Sequence, residues 1–287
     1  MIHQINHIIL RPMRGFASKI RFEYRKATWR ARPLPDFIII GAQKSGTSSM
    51  HDYLIQHPQL YSSPFKKEIH FFDSSTHQKK TNSIKNGEIW YHAHFPSRRE
   101  RGVGSKTFEN TPNYLLHPLV PGRIFDLIPE VKLVALLRNP AERAISHYFM
   151  CRRKKTEPLP MLEAFQQEQA RLEKALNDQG QENAFSRKSY LSGGRYAEQL
   201  ERFFRFFPAE QILLLASEEF FIDPHKSLRR VFDFVSVDAD FKVPNLTPRN
   251  VGTGRSEVSP AVREFLDEYF KPFNQALYDL TGQNFGW

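Results

Sequence analysis

Continuous apolar runs alternate along this chain with segments whose apolar positions recur every three or four residues. The first run, Phe37-Ile38-Ile39-Ile40, lies between Pro33-Leu34-Pro35 and Gly41. An unbroken apolar stretch of that length suits a strand covered on both faces, as in a parallel sheet. From about Thr47 to Gln56 the pattern turns helical, with Met50, Tyr53 and Leu54 on one face and His57-Pro58 as its stop. The pair recurs twice. Residues 131–137 predict a strand that turns at Arg138-Asn139-Pro140 into a helix reaching about Met150, with proline near the helix start. Residues 211–215 predict another strand, and Asp223-Pro224 opens a helix towards Val235. Residues 161–178 predict a polar helix and 259–280 a closing one. Strands alternating with helices indicate an α/β fold with a central parallel sheet flanked by helices. The economical division is an arm over 1–35 and one domain over 36–287.

Composition supports a packed domain: of 287 residues, 40% are hydrophobic and 25% charged, which leaves no case for general disorder. No apolar run approaches the ~18–20 residues that span a bilayer, and Met1 to Leu10 lacks a signal peptide's order of regions. Cys151 is the single cysteine, so no intrachain disulfide and no cysteine-based zinc site can form. These features lead to the expectation of a cytoplasmic protein, with Cys151 as a small buried hydrophobe. The net charge is +10, but residues 1–32 hold eight Lys or Arg against Glu23 alone, a net of +7. The basic signal therefore belongs to the arm, which suits a membrane surface, an anionic polymer or a partner chain as well as a solvated extension. No nucleic-acid partner is expected.

The candidate chemistry begins where the first strand ends, at Gly41-Ala-Gln-Lys44-Ser45-Gly46-Thr47-Ser48-Ser49. A strand, a glycine loop and a helix start present unpaired backbone N–H groups to an anion. The usual nucleotide-triphosphate loop places lysine after the second glycine. Here Thr47 takes that place and Lys44 is the loop's one lysine, an arrangement suited to phosphate but not to magnesium–ATP chemistry.

Three segments in order resemble the sulfotransferases that use 3′-phosphoadenosine 5′-phosphosulfate (PAPS). The Lys44 loop is similar to their 5′-phosphosulfate loop. Leu137-Arg138-Asn-Pro-Ala-Glu-Arg-Ala-Ile-Ser146 resembles their 3′-phosphate motif, in which an arginine and a serine eight residues later grip the 3′-phosphate. Lys67-Glu68-Ile69-His70-Phe71-Phe72-Asp73 resembles the signature of the heparan-sulfate-type and related bacterial branch. The resemblance covers most of residues 36–285 and implies a P-loop-type fold, PAPS as donor and no required metal. It implies Glu68 as general base, Lys44 as the cation that neutralises the leaving phosphate, and support from His70 and Asp73. His70 is the rival base, since histidine serves in more distant sulfotransferases. Residues 68, 70 and 73 cannot share one face of a strand, so this segment has to bend if all three serve the site.

Further positions carry over from the resemblance. Cofactor contacts are expected from Ser45, Gly46, Thr47, Ser48, Ser49, Arg138, Ser146 and Tyr196. A late basic loop, Arg249-Asn-Val-Gly252-Thr253-Gly254-Arg255-Ser256, resembles the family's Lys-Gly-Arg loop with Thr253 in the lysine place, so Thr253, Gly254, Arg255 and Ser256 join them. Arg143 reads as solvated or ion-paired. Lys67, Pro112, Asn113 and Tyr114 are expected at the acceptor, and Tyr91, His92 and His94 as a cleft wall, the two histidines alternating like one face of a strand. Heparan-type enzymes usually carry lysine where this chain has Asn110, and their late disulfide is absent. The acceptor hydroxyl or amine is therefore left open among a glycan, a lipid headgroup and a small metabolite. A nucleotide kinase and a non-catalytic polyanion binder are the alternatives from other classes.

Overall fold

The computed structural model describes residues 17–73, 84–177, 188–249 and 258–287. Five strands form one sheet in the order β2-β3-β1-β4-β5, with β1 at Phe37–Gly41, β2 at Leu60–Ser62, β3 at Lys106–Asn110, β4 at Lys132–Leu137 and β5 at Ile212–Ala216. Every neighbouring pair runs parallel, with Ile39 opposite both Asn110 and Val134 and Leu137 opposite Ala216. The central strand is buried along its whole length, as its unbroken apolar run requires. Ile38, Ile40, Leu133 and Ala135 pack on one side with Tyr114, Leu200 and Phe203. Phe37, Ile39, Val134 and Leu136 pack on the other with Met50, Leu54 and Phe232.

The helices are α1 (17–27), α2 (Thr47–Leu54), α3 (Ile84–His92), α4 (Val120–Leu127), α5 (Pro140–Arg153), α6 (Met161–Gln166), α7 (Glu168–Asn177), α8 (Tyr196–Phe204), α9 (Ser217–Ile222), α10 (Pro224–Val235) and α11 (Pro260–Thr281). The three predicted strand–helix units are present, and their starts show why. Asn139 caps α5 by accepting from the Glu142 N–H at 3.1 Å, and Asp223 caps α10 by accepting from Lys226 N–H at 3.0 Å, each followed by proline. The polar helix expected over 161–178 is two helices, α6 and α7. The segment expected as a strand around His92 and His94 is the end of α3, and its residues face inward. Tyr91 is buried against Glu109, His92 Nδ1 bonds the Arg32 carbonyl at 2.6 Å, and His94 Nδ1 bonds Ser63 Oγ at 3.0 Å. These residues form no cleft wall.

Residues 17–32 of the basic arm lie against the body. Phe22 packs on Phe65, Trp90 and His94, while the buried Arg25 and Arg32 both reach Glu100, at 3.4 and 2.8 Å. Two of the arm's cations are thus internal partners of one carboxylate. Strand order reverses on either side of β1, and in such sheets the crevice beyond the strands' carboxyl ends is where ligands bind. The turns β1–α2, β4–α5 and β5–α9, together with the chain leaving β3, all open there.

Candidate functional site

At the end of β1 the chain turns through Lys44, with φ +76°, and Gly46, with φ +99°, into the first turn of α2. Gly46 is needed twice over: its φ is in the left-handed region, and a Cβ there would lie 2.7 Å from the Phe221 ring. The loop is tied down on all sides. Ser217 Oγ donates to the Ser45 carbonyl at 2.8 Å, Asn110 Nδ2 donates to the Thr47 carbonyl at 3.0 Å, and Ser49 Oγ accepts from Arg249 N–H at 2.9 Å. What remains is the set of N–H groups at the start of α2, the usual seat of an anion.

A cavity of about 940 Å³ opens over this turn, lined among others by Lys44, Ser45, Gly46, Thr47, Ser48 and, across from them, Glu68, Pro112, Arg138 and Ser146. Arg138 at the end of β4 reaches the Lys44 carbonyl at 3.3 Å and Glu142 at 3.4 Å. Ser146 stands two turns further along on α5. Met150 and Arg153 follow at helical spacing and line the same cavity, as do Lys154 and Arg249. Arg249 opens the late basic loop, whereas Arg153 and Lys154 were not anticipated; the Arg152-Arg153-Lys154-Lys155 run at the end of α5 is the signal that could have found them. Five cationic side chains, at Lys44, Arg138, Arg153, Lys154 and Arg249, face three carboxylates, at Glu68, Glu142 and Glu218. Burial, and then the charges of Arg153, Arg138, Lys154 and Arg143, lower the Lys44 ammonium to about 8.

Some expected cofactor contacts instead support the site from below. Tyr196 is buried and its hydroxyl donates to the Arg138 carbonyl at 2.9 Å, holding the arginine's backbone. Ser49 faces Arg249 rather than the cavity. Arg143, expected in solvent or in an ion pair, is buried: its Nη2 donates to the Ser189 carbonyl at 2.9 Å and to that of Tyr190. Gly193 makes room for it, since a Cβ there would sit 2.8 Å from the guanidinium. Cys151 is buried, as a small hydrophobe would be. Thr253, Gly254, Arg255 and Ser256 lie outside the described residues.

The wall opposite the phosphate turn is residues 65–73, which form neither helix nor strand. The bend that 68, 70 and 73 require is there, with His70 at φ +56°. It sets Glu68 Oε2 3.4 Å from His70 Nε2 and Asp73 Oδ2 2.8 Å from His70 Nδ1. Asn113 Nδ2 donates to the same Asp73 oxygen at 2.8 Å. Burial alone would lower the His70 imidazolium, but hydrogen bonds to Asp73 and Glu68 outweigh it and raise the group to about 9. Burial works to raise the two carboxyls, yet His70 holds both below the usual carboxylate range. Lys67, expected at the acceptor, donates from Nζ to Ser48 Oγ and so joins the phosphate turn. Of the other acceptor candidates, Pro112 lines the cavity. Asn113 orients Asp73, and Tyr114 is wholly buried with its hydroxyl on Glu109.

Residues 34–250 match the family model for the sulfotransferase domain. The chain belongs to the sulfotransferase family. Its activity is accordingly transfer of a sulfuryl group to an acceptor. This sulfotransferase is 30% identical over 281 residues to mouse heparan sulfate glucosamine 3-O-sulfotransferase 3A1, covering 90% of this chain and 65% of the relative. It is 29% identical over 278 residues to human heparan sulfate glucosamine 3-O-sulfotransferase 6, covering 89% of this chain and 74% of the relative. The chain thus spans about two thirds to three quarters of the length of these relatives. Among solved structures, a sulfotransferase from Alicyclobacillus acidocaldarius superposes with a TM-score of 0.71 at 30% identity, over 88% of this chain and 97% of that one. The expectation of a cytoplasmic protein is overturned by the animal relatives, because heparan sulfate sulfotransferases are enzymes of the Golgi lumen. That expectation rests on the lack of a bilayer-length apolar run, on Met1 to Leu10 and on the single cysteine, and a domain with a core of this size needs no disulfide in any compartment. Among the described residues, no helix is long and apolar enough to cross a membrane.

Proposed function

We propose that this sulfotransferase takes its sulfuryl group from PAPS and passes it to a hydroxyl of a glycan, with Glu68 as the general base. The observation that carries the reading is that one cavity holds an anion-binding turn with Lys44 on one side and Glu68 on the other. The donor fits the residues present. A cavity with a surplus of cations, in which burial and neighbouring charge have already loosened the Lys44 proton, is stabilised by a polyanion. The N–H groups and side chains of Ser45 to Ser48 would hold the 5′-phosphosulfate end. Arg138 and Ser146, a planar fork and a hydroxyl from one turn and helix, would hold the 3′-phosphate.

PAPS supplies an activated sulfuryl group on a phosphate leaving group. Glu68 takes the proton of the acceptor hydroxyl as that oxygen bonds to sulfur. Lys44 meets the negative charge on the bridging oxygen as its bond to sulfur breaks. His70 is an unsuitable base here. Both of its ring nitrogens are engaged by carboxylates, and an imidazolium raised to about 9 has no lone pair to offer near neutral pH. It serves as the charged pivot between Glu68 and Asp73. The acceptor class is inferred from the relatives, whose substrate is a heparan sulfate glucosamine hydroxyl.

The test is calorimetric titration with adenosine 3′,5′-bisphosphate, the expected product, beside transfer from radiolabelled PAPS to heparan sulfate and to desulfated glycans. Binding that needs the 3′-phosphate, and label appearing in at least one glycan, are expected. Glu68→Gln should retain bisphosphate affinity and lose about 10²–10⁴-fold in kcat, the span of a positioned base. Unchanged turnover in Glu68→Gln removes the base assignment, and equal binding of adenosine 5′-monophosphate removes PAPS.

A further inference from the structure

The segment that carries Glu68 has no ladder and no helix, so its backbone N–H groups must be satisfied elsewhere. Ile69 and His70 both donate to Thr111 Oγ1, at 3.1 and 3.4 Å. Phe71 and Phe72 both donate to the Tyr114 hydroxyl, at 2.9 and 3.3 Å. Each of those two hydroxyls then donates its own proton to a single atom, Glu109 Oε1, at 2.7 Å from Thr111 and 2.6 Å from Tyr114. The other carboxylate oxygen accepts from the Tyr91 hydroxyl. Glu109, Thr111, Tyr91 and Tyr114 are all buried, with at most 1% of their surface exposed.

A hydroxyl has one proton and two lone pairs. If the Thr111 and Tyr114 protons had no acceptor behind them, they would turn to other carbonyls, and the lone pairs would leave the N–H groups they now serve. Burial pushes the Glu109 carboxyl up and the hydroxyls of Tyr114, Tyr91 and Thr111 pull it back, and its Oε1 offers both protons an acceptor. The lone pairs therefore stay aimed at residues 69–72. Four consecutive N–H groups are fixed through a residue at φ +56°, and that turn brings Glu68 and Asp73 to opposite nitrogens of His70. The same strand end also reaches the phosphate turn, through Asn110 on the Thr47 carbonyl.

We propose that Glu109 is a positioning residue for sulfuryl transfer: through the hydroxyls of Thr111 and Tyr114 it sets the bend that aims Glu68 into the cavity. The proposal rests on the reading of Glu68 as base. It explains why an acid stands at a fully buried position of β3.

The test compares Tyr114→Phe with Tyr91→Phe. Both delete a buried hydroxyl that donates to Glu109, but only the Tyr114 hydroxyl also holds the catalytic segment. The readouts are kcat and KM for transfer from PAPS to heparan sulfate, affinity for adenosine 3′,5′-bisphosphate, and the titration of His70 followed by NMR. Tyr114→Phe is expected to lower kcat about 10- to 100-fold, the effect of a displacement on the order of 1 Å, with bisphosphate affinity kept within about twofold. His70 should titrate well below the wild-type value of about 9. Tyr91→Phe should leave kcat within about threefold and the His70 titration in place. Thr111→Val should behave like Tyr114→Phe, and Thr111→Ser should recover most of the activity. Equal kcat and equal His70 titration in the two tyrosine variants would falsify the proposal and reduce Glu109 to a core polar contact. Glu109→Gln, which keeps Oε1 as an acceptor but removes the second carboxylate oxygen, should shift the His70 titration less than Tyr114→Phe does, and because that titration needs no acceptor substrate it decides on the Glu109–Tyr114 link even if Glu68→Gln keeps full turnover and the base assignment fails.

Discussion

The phosphate turn and the segment carrying Glu68 face each other across one cavity, yet they are held in place by different means. The turn's shape is set locally, by a buried strand, two left-handed residues and the first turn of α2, and bonds from Asn110, Ser217 and Arg249 only brace it. The Glu68 segment has no regular structure of its own and takes its shape from hydrogen bonds to residues some forty positions away. The difference follows from what each side must do. An anion is stabilised by backbone dipoles that a helix start supplies wherever it occurs. A base must sit at one place with one proton affinity, and that requires named side chains around it.

Substitutions on the two sides should therefore separate binding from turnover. The largest effect after that of Glu68→Gln is expected from Lys44→Ala. Removing a donor aimed at charge that develops in the transition state costs about 10²–10³-fold in kcat. Bisphosphate affinity should fall as well, because Lys44 belongs to the binding side, whereas Glu68→Gln should leave it intact. Steady-state transfer and calorimetry on the same two variants check the split, and identical behaviour of the two would erase the distinction between the sides.

The pH profile sharpens the comparison further. The limbs of kcat/KM report groups of the free enzyme. Glu68 must be ionised to act, and its carboxyl lies below the ordinary range because His70 and Lys67 outweigh burial. Lys44 must be protonated to attract the donor, and its proton is lost as pH rises through about 8. A level profile between about pH 5 and 7.5 is expected, falling above about 8. If His70 were the base, only its neutral form would act, and the profile would climb about tenfold per unit up to its raised pKa of about 9.

The same contrast governs what could be read from sequence. The turn at Lys44 and the Arg138–Ser146 helix were legible because apolar runs, glycine, a proline start and helical spacing are local signals. The roles of Glu68, His70 and Asp73 came from resemblance, and the need for a bend among them came from side-chain alternation. Its mechanism could not be read, because it depends on Glu109, which looks like a surface acid in a strand with the single large apolar residue Phe108. β3 itself was missed for that reason: residues 107–110 are all buried although only one is a hydrophobe. Tyr114 and Tyr196 were placed at ligands and instead prop the residues that line the cavity. A buried tyrosine with a hydrogen-bonded hydroxyl and a ligand-binding tyrosine look alike in a sequence. Arg143 misled in the opposite direction, since an arginine on a helix is usually exposed and only the glycine at 193 gives it room.

The smallest predicted effect tests how far the binding side depends on summed charge rather than on single contacts. Arg153 lines the cavity at the end of α5 and, after burial, is the foremost cause of the lowered Lys44 pKa. Arg153→Ala thus has two consequences of opposite sign. It removes a cation that attracts the bisphosphate, and it lets Lys44 keep its proton to higher pH. At pH 7, where Lys44 is already protonated, only the first operates, and affinity should fall a few-fold, as for a partly solvated charge worth about 1 kcal/mol or less. At pH 9 the second offsets the first, so the variant and the wild type should converge. Proton uptake on binding at pH 9 should also be smaller in Arg153→Ala, because more of its Lys44 is charged beforehand. Calorimetry in buffers of different ionisation enthalpy measures that uptake directly. A loss of affinity that is the same at both pH values would mean that Arg153 touches the ligand without acting on Lys44, and the binding side would then be a set of separate contacts rather than one coupled cluster of charge.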